Sequence, residues 1–205
     1  MGRIGLFGGS FNPVHVAHLI LAEQAREARS LDKVLFMPVG TPPHKPDRAL
    51  APAKHRLRML QLALEGNEHL EASTLEIERE GPSYTLLTVR HLKEMLGADT
   101  RIFLIVGADS IRDLPTWWHA EDLVQEVEIV GLRRPGVSLD SLVELEAAFP
   151  PGIMRKIKRS LVPAPLLDVS STDVRLRVRE GRCIRYLVPE SVRRYIEEHG
   201  LYRSP

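Results

Sequence analysis

Two adjacent glycines and a pair of histidines near the start of the chain have the types and spacing for phosphate chemistry. Gly8 and Gly9 follow a short apolar run, and adjacent glycines let a backbone approach a ligand and direct successive amides at it. His15 and His18 are three residues apart, which places both imidazoles on one side of a helix. Near a helix N-terminus, imidazoles donate hydrogen bonds to phosphoryl oxygens as negative charge develops. This segment therefore predicts a phosphate site, with a tight strand-to-helix turn as the simpler alternative.

Other glycine-rich and histidine motifs do not fit this segment. It lacks the Gly-x-Gly-x-x-Gly spacing of dinucleotide sites and the Gly-Lys-Ser/Thr of a Walker loop. No cysteine or carboxylate falls at the spacing of a zinc protease, so we predict no metal bound by protein side chains here.

A second anion site is predicted near the C-terminus. The spacing of Ser170 and Asp173 is that of a capping box, which predicts the start of a helix. The hydroxyls of Ser171 and Thr172, together with Arg175 one turn further on, would then surround an anion. Taken alone, this segment is explained equally well by a plain capped helix.

The middle of the chain offers residues for a small acceptor molecule. Lys45 lies in a stretch rich in proline and basic residues, 40–52, which predicts an exposed loop. The run Ser83–Thr85 is predicted to open a helix with a capping hydroxyl and free amides. Gly107 and Asp109 come at the end of a predicted central strand, where ribose hydroxyls are usually held.

A tryptophan pair follows at a short distance. Trp117 and Trp118 offer a flat face on which an aromatic ring would stack. Paired tryptophans more often belong to a hydrophobic core, and Lys45 has solvation as its alternative role.

These residues need a scaffold that brings distant segments together. Short apolar runs predict strands at 3–7, 33–39, 70–77, 101–106, 127–132 and 166–169. Helical periodicity predicts helices at 18–29, 53–64, 84–96, 139–148, 173–179 and 190–199. The alternation predicts an α/β fold with a doubly wound, Rossmann-like, mostly parallel sheet and a small helical C-terminal part. We expect one domain over 1–205 with 173–205 as the helical subregion, and a connector with one short helix between 150 and 165.

Composition narrows the setting. The chain has 205 residues, 28 Lys plus Arg and 27 Asp plus Glu, for a net charge of +1. This balance argues against a protein that coats nucleic acid or an anionic membrane. The single cysteine, Cys183, cannot form an internal disulfide, and no stretch suits a signal peptide or a membrane span. We therefore expect a cytoplasmic protein that binds neither nucleic acid nor membrane; its oligomeric state stays open, a homo-oligomer included.

Both anion motifs resemble the signatures of one superfamily. The segment GGSFNPVHVAH, residues 8–18, resembles that of the HxGH nucleotidyltransferases, with Asn12 where Asp is common and Ala17 where the motif has glycine. The segment SSTDVR, 170–175, resembles the SSTxxR motif that closes over the ATP phosphates in that superfamily. The related class I aminoacyl-tRNA synthetases are longer and carry a KMSKS-like element, which this chain lacks.

Within the superfamily, the whole chain resembles the bacterial nicotinate mononucleotide adenylyltransferases, through the motifs PPHK, SYT, GADS, PTWW and RPG. This resemblance implies transfer of AMP from ATP to nicotinate mononucleotide, with Mg²⁺ carried mainly by the triphosphate and water. It implies catalytic roles for His15, His18, Lys45 and Arg175. It implies ATP binding by Gly8, Gly9, Ser10, Phe11, Asn12, His15, His18, Ser171, Thr172 and Arg175. It implies acceptor binding by Lys45, Ser83, Tyr84, Thr85, Gly107, Asp109, Trp117, Trp118 and Arg134, with Trp117 stacked on the nicotinate ring.

Two other functions remain open at this stage. A sister adenylyltransferase would use nicotinamide mononucleotide or phosphopantetheine as acceptor. A nucleotide-sensing module without catalysis would bind ATP and turn over no acceptor, although the presence of His15, His18 and Arg175 argues against it. Binding of tRNA is poorly supported because the charge is balanced.

Overall fold

A single parallel sheet organises the molecule. The computed structural model describes residues 2–42, 50–133 and 149–203. Within them, six strands pair in the order β3-β2-β1-β4-β5-β6, with every neighbouring pair parallel. The strands are β1 (Arg3–Gly9), β2 (Lys33–Pro38), β3 (Leu70–Ala72), β4 (Arg101–Gly107), β5 (Glu128–Arg133) and β6 (Leu161–Pro163). This is a doubly wound, Rossmann-like sheet, so the predicted fold class is confirmed.

Helices cover both faces of the sheet. They are α1 (Val16–Arg29), α2 (Ala53–Leu64), α3 (Leu75–Glu78), α4 (Thr85–Leu96), α5 (Ala108–Asp113), α6 (Ala120–Glu126), α7 (Pro151–Ser160), α8 (Ser171–Arg179) and α9 (Glu190–Glu198), with a 3₁₀ turn at Leu114–Thr116. None of the helices in the described ranges has both the length and the apolar character that crossing a membrane would take.

Strand residues alternate between two apolar clusters. Phe7 and Phe36 pack on the face covered by α1, α2, α8 and α9. Leu6 and Leu35, their neighbours in sequence, pack on the face covered by α4, α6 and α7. Successive strand side chains point to opposite faces, so burial on both faces produces the continuous apolar runs seen in the sequence.

One predicted strand is too long and another is wrong. The run 70–77 is strand only over Leu70–Ala72, after which the chain turns and α3 begins at Leu75. The Ser73 hydroxyl accepts a hydrogen bond from the Leu75 amide and so favours the turn. The run 166–169 forms no strand; the sixth strand is Leu161–Pro163, and prolines 163 and 165 lack the amide that would continue its ladder.

Other element boundaries agree more closely with those predicted from the sequence. Helix α2 has the predicted bounds, and the connector at 150–165 contains α7 as its one helix, followed by β6. Helices α5 and α6 were not predicted. The predicted helix at 139–148 lies outside the described residues.

Candidate active site

The sheet has a topological switch between β1 and β4. From β1 the chain proceeds through α1 to β2 on one side, whereas β4 lies on the other side. At such a point the loops that leave the carboxyl ends of the two strands diverge and open a crevice for a ligand. Gly9 ends β1 and Gly107 ends β4, so both predicted glycine segments lie at this crevice.

The adjacent glycines Gly8 and Gly9 at the end of β1 have different surroundings. A side chain at Gly9 would meet the ring of Phe11 at 3.1 Å, so a substitution there would push on this ring. Phe11 is buried and has a positive φ of 45°. A side chain at Gly8 would meet nothing within 4 Å, and Gly8 and Ser10 are exposed. The face of the loop at Gly8 is therefore open rather than packed against the protein.

His15 and His18 lie together at the start of α1. Their rings stack with centroids 3.6 Å apart. The backbone amide of His15 donates to Nδ1 of His18 at 3.2 Å, so Nδ1 is unprotonated and the neutral ring carries its proton on Nε2. Burial lowers the pKa of His18 well below its usual range, and the charge of a protonated His15 lowers it further. At neutral pH, His18 is a neutral hydrogen-bond donor through Nε2.

The first turn of α1 also contacts the C-terminal part of the chain. The Val16 amide, which belongs to this turn, donates to the carbonyl of Leu187 at 3.0 Å. This amide is therefore satisfied by protein, and the loop Gly8–Ser10 presents the more exposed backbone.

The C-terminal motif contacts the N-terminal loop directly. Ser170 caps α8 by accepting from the Asp173 amide at 3.1 Å, as predicted. The Ser171 hydroxyl donates to the Pro13 carbonyl at 2.8 Å, and Arg175 Nη1 donates to the Asn12 carbonyl at 2.8 Å. Segments about 160 residues apart thus form one surface that carries hydroxyls, a guanidinium and exposed backbone.

Asn12 is occupied by contacts within the protein. It is 1% exposed, and its carboxamide oxygen accepts from the Ala51 amide at 3.1 Å and from the Tyr202 hydroxyl at 2.9 Å. Burial raises the pKa of Tyr202, while the charges of Arg175 and Arg56 oppose this shift. Asn12 therefore shapes the loop and joins it to the C-terminus.

A cavity of about 520 Å³ opens beside the same loop. Gly8, Gly9 and Ser10 line one side of it, and the other side carries aromatic and hydroxyl groups. Trp117 is half-buried and packs against the core, whereas Trp118 is 39% exposed and stacks on Tyr84 with ring centroids 4.9 Å apart. The lining includes Ser83, Tyr84, Thr85, Thr116, Trp117 and Trp118.

The predicted capping hydroxyl at the start of α4 is wrong. The N-cap residue is Tyr84, and no side chain caps the helix. Ser83 is buried, and its hydroxyl accepts from the Gly40 amide at 3.1 Å because the segment after β2 pairs with the segment before α4. Thr85, the first residue of α4, keeps its place at the cavity wall.

Two functional candidates were missed by the sequence interpretation. Glu76 lines the cavity although it is buried; burial raises its pKa, and a hydrogen bond from Thr88, the charge of Arg79 and a hydrogen bond from Ser83 oppose the shift. Arg56 is 1% exposed beneath the loop. Of these two residues, only the burial of Arg56 could have been inferred from the sequence, because Arg56 shares a helical stripe with the buried Met59, Leu60 and Leu64.

The predicted site residues thus fall into two groups that share the loop Gly8–Ser10. One group, around the cavity, contains Ser83–Thr85 and the tryptophans; the other contains the histidines, Ser171 and Arg175, none of which lines the cavity. Lys45 and Arg134 lie outside the described residues, as does the side chain of Asp109.

Comparison with known proteins identifies the family. Residues 6–177 match a family model described as cytidylyltransferase-like. Two relatives named probable nicotinate-nucleotide adenylyltransferase come from Thermomicrobium roseum, 45% identical over 100% of this chain and 93% of the relative, and from Moorella thermoacetica, 41% identical over 98% and 92%. The chain belongs to the nicotinate-nucleotide adenylyltransferases of this cytidylyltransferase-like family. The predicted resemblance is confirmed.

Solved structures of nicotinate-nucleotide adenylyltransferases share the fold. The Plasmodium falciparum nicotinic acid mononucleotide adenylyltransferase complexed with NaAD superposes with a TM-score of 0.73 at 19% identity over 98% of each chain. The same enzyme complexed with APC gives a TM-score of 0.71 at 18% identity.

Proposed function

We propose that this enzyme transfers the adenylyl group of ATP to nicotinate mononucleotide, giving nicotinic acid adenine dinucleotide, a precursor of NAD, and pyrophosphate. The contact between the two ends of the chain carries the proposal, because Ser171 and Arg175 bond to carbonyls of the loop after Gly9 and form one anion-binding surface. This surface adjoins a cavity whose volume lies in the usual range for small-molecule sites. The names of relatives at 41–45% identity agree with it.

The ATP half uses the shared loop and the two helix starts. We infer that the triphosphate lies between Gly8–Asn12 and Ser171–Thr172, with Arg175 against its charge. An oxygen of the acceptor 5′-phosphate attacks the α-phosphorus in line, and a new P–O bond forms as the bond to the α,β-bridging oxygen breaks. Pyrophosphate leaves with the electron pair, so no covalent enzyme intermediate is needed. Catalysis then consists of positioning and of stabilising charge, to which the Nε2–H of His18 and the ring of His15 contribute.

The acceptor half uses the aromatic cavity. Trp117 stacks on the nicotinate ring, and Thr85 with nearby backbone amides receives its carboxylate. A neutral hydroxyl and amides suit this small anion. The acceptor site is completed by Ser83, Tyr84, Gly107 and Trp118. The sequence resemblance adds Lys45, Asp109 and Arg134 to the residues that bind the acceptor.

Magnesium enters as part of the substrate MgATP. Across residues 2–42, 50–133 and 149–203, no group of three or more His, Cys, Asp or Glu side chains could hold a metal ion. We propose that phosphate oxygens and water supply most of the ligands of this ion. We extend the proposal to a cytoplasmic location, in keeping with the exposed free thiol of Cys183.

An acceptor assay tests the proposal. Purified enzyme with MgATP is offered nicotinate mononucleotide, nicotinamide mononucleotide or phosphopantetheine at equal concentration, and pyrophosphate release is followed. We expect the highest kcat/KM with the nicotinate form. A higher kcat/KM with another acceptor would identify that acceptor as the substrate. Tight ATP binding without turnover on any of the three would indicate a binding module.

A further inference from the structure

Helix α2 carries a charged side chain in its apolar stripe. Arg56 is 1% exposed and is among the largest fully buried side chains of the described chain. It lies on the same side of α2 as Met59, Leu60 and Leu64. A buried charge is costly unless it is well hydrogen-bonded, so its presence calls for a physical reason.

The guanidinium of Arg56 donates to three separate backbone segments. Nη1 donates to the Ser10 carbonyl at 3.0 Å, Nη2 to the Val39 carbonyl at 2.7 Å and Nε to the Ala51 carbonyl at 3.0 Å. Ser10 belongs to the phosphate loop after β1, and Val39 follows β2. One planar group therefore fixes the loops at the carboxyl ends of two adjacent strands relative to each other.

These bonds also orient the opposite sides of the same peptide groups. In a trans peptide the carbonyl and the following amide point in opposite directions. With the Ser10 carbonyl turned to Arg56, the Phe11 amide points away from the guanidinium. With the Val39 carbonyl turned to Arg56, the Gly40 amide points away and donates to Ser83 Oγ at 3.1 Å. Ser83 lines the acceptor cavity, so the network of Arg56 reaches both halves of the site.

The described hydrogen-bond acceptors of Arg56 carry no charge. Within the described ranges, no aspartate or glutamate forms an ion pair with it; its three partners are neutral carbonyls. Burial lowers the pKa of Arg56, and the nearby Tyr202 raises it, but a guanidinium stays protonated at neutral pH. A positive charge thus lies directly beneath the loop where we place the triphosphate.

We propose that Arg56 is a positioning residue for adenylyl transfer, which holds the phosphate loop and the segment that supports Ser83 in the relative geometry required for in-line attack. This inference rests on the proposed function. It goes beyond it because Arg56 is not itself a lining residue of the cavity; it acts through Ser10 and Val39, whose carbonyls it holds, and through the Gly40 amide.

The chain contains a matched control. The guanidinium of Arg3 also donates to backbone carbonyls, those of Arg29 and Ser30, at 2.6–3.2 Å. Arg3 lies at the amino end of β1, whereas the site lies at the carboxyl ends of the strands. Lysine retains the charge at either position but cannot reproduce the planar set of donors.

The test compares Arg56→Lys with Arg3→Lys. Both variants are expected to melt below the wild type. Only Arg56→Lys should lose kcat, by about 10- to 100-fold per folded molecule, because a small misplacement of reacting groups has an effect of that size. If Arg56→Lys keeps kcat and both KM values within twofold of Arg3→Lys, Arg56 serves only stability and the inference is wrong.

A second measurement asks for chemical rescue. Arg56→Ala is assayed with millimolar guanidinium chloride against the same concentration of ammonium chloride. We expect saturable recovery of kcat with guanidinium alone and no response of Arg3→Ala to either salt; equal recovery with ammonium would contradict a role for the planar donors. If Arg56→Ala does not fold, the lysine comparison decides. Wild-type turnover with nicotinate mononucleotide reports on the proposed function separately from either outcome.

Discussion

His18 combines a local structural role with a chemical one, and its two ring nitrogens divide them. Nδ1 accepts from the His15 amide and so helps to begin α1. Nε2 carries the proton and is free of this capping contact. Because burial holds the pKa of His18 low, the ring donates to a phosphoryl oxygen without needing to be charged.

Substitution separates these two roles. His18→Ala removes both nitrogens, whereas His18→Asn keeps an acceptor close to the position of Nδ1 and lacks the distal donor. We expect kcat to fall about 10²- to 10³-fold in both variants, as for loss of one donor to a transition-state oxygen. The melting temperature of His18→Asn should stay closer to that of the wild type. A near-normal kcat in His18→Ala would remove the residue from the mechanism.

Trp117 is expected to act on the acceptor rather than on ATP. It lines the cavity and packs against the core, so an alanine leaves both a void and a lost stacking surface. Stacking of about 0.5–1.5 kcal/mol corresponds to a rise in the KM for nicotinate mononucleotide of roughly two- to twelvefold in Trp117→Ala. Trp117→Phe, which keeps a ring, should retain most of the affinity. Steady-state kinetics would contradict the role if the KM for ATP rose and that of the acceptor did not.

At the scale of elements, α2 and α9 meet through polar and aromatic groups. His55 of α2 lies with Nδ1 2.9 Å from the hydroxyl of Tyr195 on α9, and the Tyr195 ring stacks on His199. Ser191 of α9 donates to the Leu62 carbonyl of α2 at 2.9 Å. This contact holds the C-terminal helix on the helix that carries Arg56.

The contact should weaken in acid. Burial, the charge of Lys54 and that of His199 lower the pKa of His55 from 6.5. The contribution of His55 to stability is therefore complete above its pKa in the unfolded chain, about 6.5. It is lost as the pH falls from there through the pKa of the folded state, because the unfolded chain then binds more protons. His55→Asn should make the decline of the melting temperature between pH 7 and pH 5 less steep. Part of the decline should remain, since the pKa of His18 is lowered in the same direction. An unchanged slope would show that His55 does not contribute.

Elements with a strong local pattern were predictable, and elements determined by distant contacts were not. The buried strands β1, β2, β4 and β5 give continuous apolar runs because both faces are covered. The close approach of α3 to the segment after β2 requires Gly40, because a side chain there would collide with the Glu76 carbonyl, and no local pattern near Glu76 reveals this. The role of Ser83 likewise depends on its pairing with the segment after β2.

The same distinction holds for the site. Short motifs led to the prediction of Gly8, His18 and Arg175, because phosphate chemistry restricts the residue types. Arg56 was missed because an arginine in an amphipathic helix is normally solvated, and only the three carbonyls around it explain its burial.

At the scale of the molecule, strand order and helix placement bring the two ends of the chain together. The central position of β1 exposes its loop at the switch point, and α8 lies close enough for Ser171 and Arg175 to contact that loop. ATP bound between these segments would join residues from both ends, and a ligand that binds only the folded state stabilises the whole molecule.

Thermal unfolding with MgATP measures this linkage. At a ligand concentration about 100 times Kd, binding adds about 2.7 kcal/mol, which for a chain of this length raises the melting temperature by roughly 5–10 °C. Arg175→Ala should lose more than half of that increase, since it removes a charge at the triphosphate. Arg177→Ala is the matched control, because Arg177 lies on the same helix but pairs with Asp173 at 2.9 Å. Arg177→Ala should show the wild-type increase in melting temperature with MgATP, even if its melting temperature without ligand is lower. Equal increases in the two variants would mean that ATP does not bridge the two ends, and the mechanism built on their contact would fail.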